Sequence, residues 1–343
     1  MAVLPKVTII IPVYNVERYL AECLDSVLNQ TIRDTQIICV NDGSPDGSRA
    51  ILQEYADRDA RIKIIDKSNG GLSSARNAAY PHIEGKYTLF VDSDDWIALD
   101  LCEKTHRKAE ETGAPMTVFF AQKWKEHKIR LITPDVKTTV EEKSPLLDFP
   151  SACSKLWRTD FLLNNNLYFP EGFVFEDNLV NWRAITLADK IAVVPERLYH
   201  YRRNASSITQ TWGKHTLHYV PIYNMIQNYL LESGHYAAYR KKFISMKLDV
   251  WYRHYRNLPA SLKPKFMAMI RESLTADDRE FYRDPKNQLP ITTRLLYAMI
   301  DGGRMEALKF RIAYIIEQII RMPELLVNRW LVRPVRRWLE IWR

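Results

Sequence analysis

The chain has 343 residues, enough for about two domains at ordinary domain sizes. Its hydrophobic content of 46% is that of a globular protein, and its four cysteines, with no C-x-x-C spacing, predict small buried thiols in a reducing compartment. The net charge of +8 is spread unevenly, −5 over residues 1–100, 0 over 101–200 and +13 over 201–343, so the basic character belongs to a separate function. No basic region precedes an apolar leader-like core, and no apolar run approaches the roughly 18 residues that span a bilayer. The expectation is a soluble or peripheral protein.

In chain order, Val7 to Tyr14 is a β-branched strand closed by Pro12 and a turn at Asn15. Asn15 can cap a helix whose apolar positions Leu20, Leu24, Val27 and Leu28 recur at helical spacing. Gln36 to Val40 is a second strand, and the Gly/Asp-rich loop from Asn41 to Ser48 feeds a helix through Tyr55. Ile62 to Ile65 is a third strand, followed by a helix opened by the segment Asn69 to Asn77. A fourth apolar run, Leu89 to Val91, stops in three acids within four residues, Asp92, Asp94 and Asp95. Strand and helix thus alternate over the first hundred residues, the pattern of a parallel, doubly wound sheet.

Beyond that point the spacing predicts a helix over 98–112, a strand over 116–122 and a hairpin or flap over 123–150. A helix from Asn178 to Leu187 and a strand from Ile191 to Val194 follow, then a polar, aromatic stretch from Tyr199 to Thr209. From Thr216 the pattern is helical, broken near Pro259, Pro264, Pro285, Pro290 and Gly302. The domain expectation is a catalytic domain over 1–210 and a helical carboxyl-terminal region over 211–343.

The acids after Val91 sit where open α/β sheets bind ligands, at carboxyl strand ends. Two hard carboxylates straddling Ser93 suit Mg2+ or Mn2+ with phosphate oxygens completing the shell. A lone D-x-D is more often an Asx-rich turn, so the weight comes from the other loops. Asp42 can accept from a base or ribose, and Arg76, following a Gly-Gly helix start, can offer a forked donor to phosphate. The loops lack G-x-x-x-x-G-K-[ST] and G-x-G-x-x-G, which speaks against a P-loop ATPase and a dinucleotide dehydrogenase. A diphosphate held without a P-loop points to a sugar nucleotide.

Five ordered segments, Ile11 to Asn15, Val40 to Ser44, Gly71 to Asn77, Val91 to Asp95 and Glu176-Asp177, together resemble glycosyltransferase family 2, in particular bacterial enzymes of surface-polysaccharide synthesis. The resemblance covers residues 5–210. It implies a GT-A, Rossmann-like fold with a mixed, mostly parallel sheet flanked by helices, and inverting, metal-dependent transfer from a nucleotide donor, most often a UDP-sugar. It places Pro12, Val13 and Tyr14 at the base, Asp42 on the uracil, and Asn69 and Arg76 at ribose and diphosphate. Asp92 and Ser93 would face the donor, and Asp92, Asp94 and His200 the metal. Asp177 would be the general base, Glu176 would bind sugar hydroxyls, and Trp96, Lys155 and Trp157 are candidates for the acceptor side. Structural readings stand beside these: a hydrogen-bonded His200, surface arginines at 202 and 203, and a core role for Trp96.

Residues 321–343 carry six arginines against two glutamates, interleaved with Trp330, Trp338 and Trp342. A Trp-bearing apolar stripe with an Arg-rich reverse is the composition of a helix lying in a membrane surface. A helix packed on the catalytic domain or in a homo-oligomer interface is the alternative; no module accompanies the charge that would direct it to nucleic acid. The sequence therefore leads to a cytoplasmic glycosyltransferase, peripheral at the inner face of the cell membrane, with a glycan or lipid-linked acceptor. Its rivals are a sugar-phosphate nucleotidyltransferase, which also uses a sheet-end D-x-D, and a non-catalytic sugar-nucleotide-binding scaffold recruited by the tail.

Overall fold

Every residue from Val7 to Val13 is buried, so β1 (Val7–Val13) shows no alternation of polar and apolar side chains. That is the mark of a strand covered on both faces. The computed structural model describes residues 4–125, 128–130, 141–202 and 212–287, with 289, 293, 294, 296, 297 and 300. The tail over 321–343 and Arg203 lie outside these residues.

β1 is followed by α1 (Leu20–Leu28), which buries Leu20, Cys23, Leu24 and Val27, one stripe at helical spacing. β2 (Thr35–Asp42), α2 (Ser48–Arg58), β3 (Ile62–Lys67), α3 (Gly71–Ala78) and β4 (Tyr87–Phe90) complete an alternating first hundred residues. β1 pairs in parallel with β2 on one side and β4 on the other, and β2 pairs in parallel with β3. The order β3-β2-β1-β4 reverses direction at β1. The carboxyl ends of β1 and β4 therefore open a crevice at a topological switch point.

Past β4 the sheet becomes mixed. The remaining strands are β5 (Trp96–Ile97), β6 (Met116–Lys125), β7 (Lys128–Arg130), β8 (Lys155–Arg158) and β9 (Ala192–Arg202), with α4 (Leu101–Thr112), α5 (Thr159–Asn164) and α6 (Asp177–Leu187) between them. β8 runs antiparallel between β4 and β6, β9 lies parallel to β6, and β5 pairs antiparallel with β9. β6 and β7 form the described part of the hairpin expected after residue 122. The polar stretch from Tyr199 is not a loop at its start: β9 continues through Arg202, and His200 pairs with Trp96. All four cysteines are buried and free.

The chain divides into two compact units, residues 1–237 and 238–343. The first also contains α7 (Tyr219–Glu232), reached through a 3-10 turn over Lys214–His218. In the second, α8 (Tyr236–Asn257, mostly in this unit), α9 (Lys263–Ser273) and α10 (Ala276–Arg283) follow the proline breaks read from the sequence. Lys247 and Asp278 form a fully buried ion pair there at 2.5 Å, and Asp278 also closes a capping box with Thr275. Among the described residues no helix is long and apolar enough to cross a membrane.

Candidate active site

Asp42 ends β2 with its side chain almost wholly buried, and three donors surround its carboxylate. Lys67 Nζ lies 2.6 Å away, and the N–H groups of Gly70 and Gly71 donate at 3.0 and 2.8 Å. Gly71 has φ +84°, a conformation that opens α3 and that few side-chain-bearing residues adopt. Asp42 thus fixes the Gly-Gly helix start. Pro12 and Val13 are buried at the end of β1, while Tyr14 and Asn69 are exposed.

Arg76 projects from α3 into the interior and is 3% exposed. Its Nη2 donates to Asp92 Oδ1 at 2.8 Å and its Nη1 to Glu176 Oε1 at 2.7 Å. The guanidinium also lies 5.0 Å from the centre of the Phe169 ring. Arg76, read from the sequence as a ribose and diphosphate contact, is a buried strut between Asp92 after β4 and Glu176 at the start of α6. A charge taken from water needs paired, hydrogen-bonded partners, and two carboxylates supply them.

The turn after β4 is held from its other side by β9. Tyr199 Oη accepts from the Asp92 N–H at 3.1 Å and donates to Asp95 Oδ2 at 2.7 Å. The Arg202 N–H donates to Asp95 Oδ1 at 2.6 Å, and its Nε to the Asp94 carbonyl at 2.8 Å. Burial, then the charges of Asp94 and Asp92, push Asp95 well above the usual carboxylate range. Ser93 is 5% exposed, whereas Asp92 and Asp94 remain half-buried.

Asp92 and Asp94 are hard donors on one short turn, which fits a divalent cation sharing its shell with phosphate oxygens. Among the described residues, however, no three His, Cys, Asp or Glu side chains form a group that could hold a metal by themselves. His200, expected as a third ligand, has Nδ1 2.7 Å from Gln122 Nε2 and its ring stacked on Trp96 at 5.2 Å and 9°. Trp96 was read as an acceptor-side candidate or a core residue. Its ring carries His200 and lies 4.6 Å from the Arg202 guanidinium.

Glu176 and Asp177 open α6. Glu176 is 5% exposed, and burial pushes its carboxyl up to about 7 against the opposing pull of Arg76. Asp177 is half-buried; desolvation raises it, while Arg76 and Lys155 act to lower it. Lys155, expected beside the acceptor, is 1% exposed, with Nζ donating to the carbonyls of Phe149 at 2.9 Å and Ser151 at 2.7 Å. Burial pushes its ammonium down to about 7. It acts on Asp177 at a distance, as a buried amine whose charge is easily lost. Trp157 is likewise buried.

The structure therefore joins Arg76, Asp92, Glu176 and Asp177 in one charged cluster, with Asp42 closing the far side of the first α/β segment. Asp95, Tyr199 and Asn77 were not read as site residues. Asn77 bonds Phe169 in both directions, at 2.8 and 3.0 Å, tying α3 to the segment that leads to Glu176. Asp95, a third acid in four residues, was the one visible signal of this anchoring.

The profile of the family described as Glycosyl transferase family 2 matches residues 8–167. The chain is 36% identical over 219 residues to Uncharacterized glycosyltransferase EpsJ of Bacillus subtilis (strain 168), a match covering 60% of this chain and 64% of that one. Putative glycosyltransferase EpsH of the same strain is 34% identical over 261 residues, 69% of this chain and 73% of EpsH. Poly(ribitol-phosphate) beta-N-acetylglucosaminyltransferase TarS of Staphylococcus aureus (strain MW2) is 29% identical over 204 residues, 57% and 35% of the two chains. This chain thus spans just under two thirds of EpsJ and a smaller share of TarS. Among solved structures, S. aureus TarS 1–349 in complex with UDP-GlcNAc shares the fold, with a TM-score of 0.71 at 20% identity over 90% of this chain and 92% of that one.

Proposed function

The chain belongs to glycosyltransferase family 2 and has the GT-A architecture, and from that premise we propose that it transfers a sugar, with inversion, from a UDP-linked donor to a hydroxyl of a glycan or lipid-linked acceptor in bacterial surface-polysaccharide synthesis. The observation that carries this reading is the cluster in which Arg76 bridges Asp92 and Glu176, because it sets the strand-end acids beside Asp177. Donor acids and a candidate base would then serve one reaction centre.

Pro12, Val13 and Tyr14 would line the base, Asp42 would face the uracil, and Asn69 and Asp92 the ribose and diphosphate. A divalent cation, Mn2+ or Mg2+, would be held by Asp94 with Asp92. When bound it supplies neutralising charge to the diphosphate. Asp177 takes the proton of the acceptor hydroxyl as that oxygen attacks the anomeric carbon opposite the diphosphate. The bond to the diphosphate oxygen breaks in the same displacement, so configuration inverts. The raised pKa of Asp177 makes it a stronger base than an exposed aspartate. Arg76 keeps Asp92 and Glu176 in register, and Lys155 lends a nearby positive charge.

The Arg- and Trp-rich segment over 321–343 would hold the enzyme at the cytoplasmic face of the membrane, where a lipid-linked acceptor resides. Release of UDP from a panel of UDP-sugars, with and without glycan acceptors, tests the assignment. Absence of turnover of every sugar nucleotide, in the presence of Mn2+ or Mg2+, would overturn it.

A further inference from the structure

The turn that delivers Asp177 contains a backbone conformation the reaction chemistry does not itself demand. Phe175 has φ +69°, a left-handed value uncommon in any bulky residue. Such a conformation persists where its surroundings over-determine it. Here the surroundings come from the segment entering α7. The Phe175 ring stacks on Tyr219 with centroids 3.9 Å apart and planes inclined by 17°. The N–H of the preceding Val174 donates to His218 Nδ1 at 3.0 Å, and Phe173 meets the His218 ring edge-on at 5.6 Å.

The other end of the turn leads to the carboxylate. The Phe175 carbonyl accepts from the Asn178 N–H at 3.2 Å and from Asn178 Nδ2 at 3.0 Å. The same Nδ2 donates to Asp177 Oδ1 at 3.2 Å. An unbroken series of contacts therefore runs from Tyr219 through Phe175 and Asn178 to the group read above as the base. Glu176, between them, turns its side chain away to Arg76, so it does not cap the helix. Orientation of Asp177 is left to Asn178 and the Phe175 turn.

We propose that Phe175 is a positioning residue for Asp177, held in its left-handed conformation by the stack on Tyr219 and acting through the Asn178 amide. This rests on the reading of Asp177 as general base. The aromatic pair adds nothing to donor binding, which belongs to the β1, β2 and β4 strand ends. It sets the angle at which the carboxylate meets the acceptor hydroxyl, and a misplaced base slows turnover without weakening the donor complex.

The test uses the full chain, the UDP-sugar that the wild type turns over fastest, and the variants Tyr219→Ala, Tyr219→Phe and Phe175→Gly. Tyr219→Ala and Phe175→Gly should lower kcat about tenfold or more with donor KM within about twofold, and Tyr219→Phe, which keeps the stack, should stay close to wild type. On an Asp177→Asn background, Tyr219→Ala should cost nothing further, because the group it positions is already disabled. A wild-type kcat in Tyr219→Ala, or kcat and donor affinity falling together, would overturn the proposal. A wild type that turned over no sugar nucleotide would instead remove the functional reading. In that event amide exchange still decides: protection at Asn178 should drop about tenfold in Tyr219→Ala, and unchanged protection would refute the positioning role.

Discussion

Arg76 and Glu176, one hundred positions apart in the sequence, meet at 2.7 Å in a nearly water-free interior. Their contact joins a helix of the first α/β repeats to the helix that carries Asp177. Arg76→Met leaves Glu176 buried without its cation and frees Asp92. Breaking one side of a buried pair costs about 3–5 kcal/mol, so this variant should unfold at markedly lower urea concentration than wild type. An unchanged midpoint would show that the interior tolerates Glu176 without its partner.

Asp177→Asn keeps the shape of the side chain and removes its basicity. Donor affinity should stay near wild type while turnover falls on the order of 100-fold or more. Isothermal titration with the donor, set beside steady-state rates, separates the two effects. Wild-type turnover in this variant would assign the base elsewhere.

Asp94→Ala removes one of the two half-buried carboxylates on the turn after β4. The expected result is loss of divalent-dependent turnover, on the order of 100-fold, with the fold intact by circular dichroism. Full wild-type activity in excess chelator would contradict a role for the metal.

The pH dependence has a definite sign. Asp177 must be ionised to accept a proton, and its carboxyl is raised, so the acid limb of the rate should lie above about pH 4, the ordinary aspartate value. Lys155 acts to lower Asp177, so Lys155→Met should move that limb to higher pH. A limb that moved down, or stayed, would remove Lys155 from the electrostatics of the base.

Glu176 gives the matching statement for stability. Its folded pKa of about 7 lies above its ordinary value, so the folded state holds the proton more tightly. That contribution is complete below about pH 4.3 and is lost as pH rises through about 7. Relative to Glu176→Gln, wild type should lose stability over this window, by no more than about 1.4 kcal/mol per pH unit. Urea unfolding of both proteins at pH 5 and pH 8 measures the difference.

Residues 321–343 carry the membrane proposal by composition. Their deletion should release the protein from vesicles containing anionic lipid while leaving donor turnover in solution unchanged. Continued sedimentation with such vesicles would place the anchor elsewhere.

The first four strands could be read directly because β-branched runs such as Ile9 to Ile11 and Ile37 to Val40 are dense and uninterrupted. Asp42 and Asp92 were legible for the same reason: each acid ends such a run. β5 was not, since two residues carry no usable period, and neither was β8, whose apolar Leu156 and Trp157 are bounded by Lys155 and Arg158. The end of β9 was hidden because Tyr199 to Arg202 are aromatic and polar throughout, with no apolar alternation to mark a strand. Partners were the least visible. Arg76 contacts acids 16 and 100 positions away, and no local pattern encodes that choice. The helix start it follows suggested a phosphate ligand, and only burial showed that the guanidinium was already paired.

The dependence of the turn after β4 on β9 has a consequence for synthesis of the protein. Tyr199 and Arg202 leave the ribosome roughly a hundred residues after Asp92, Asp94 and Asp95, the groups they hold. The early repeats have apolar runs enough to collapse as they emerge, yet their acidic turn stays unbraced until the chain has been made past 202. The turn after β4 is therefore completed late in translation, long after the strand that carries it has been made.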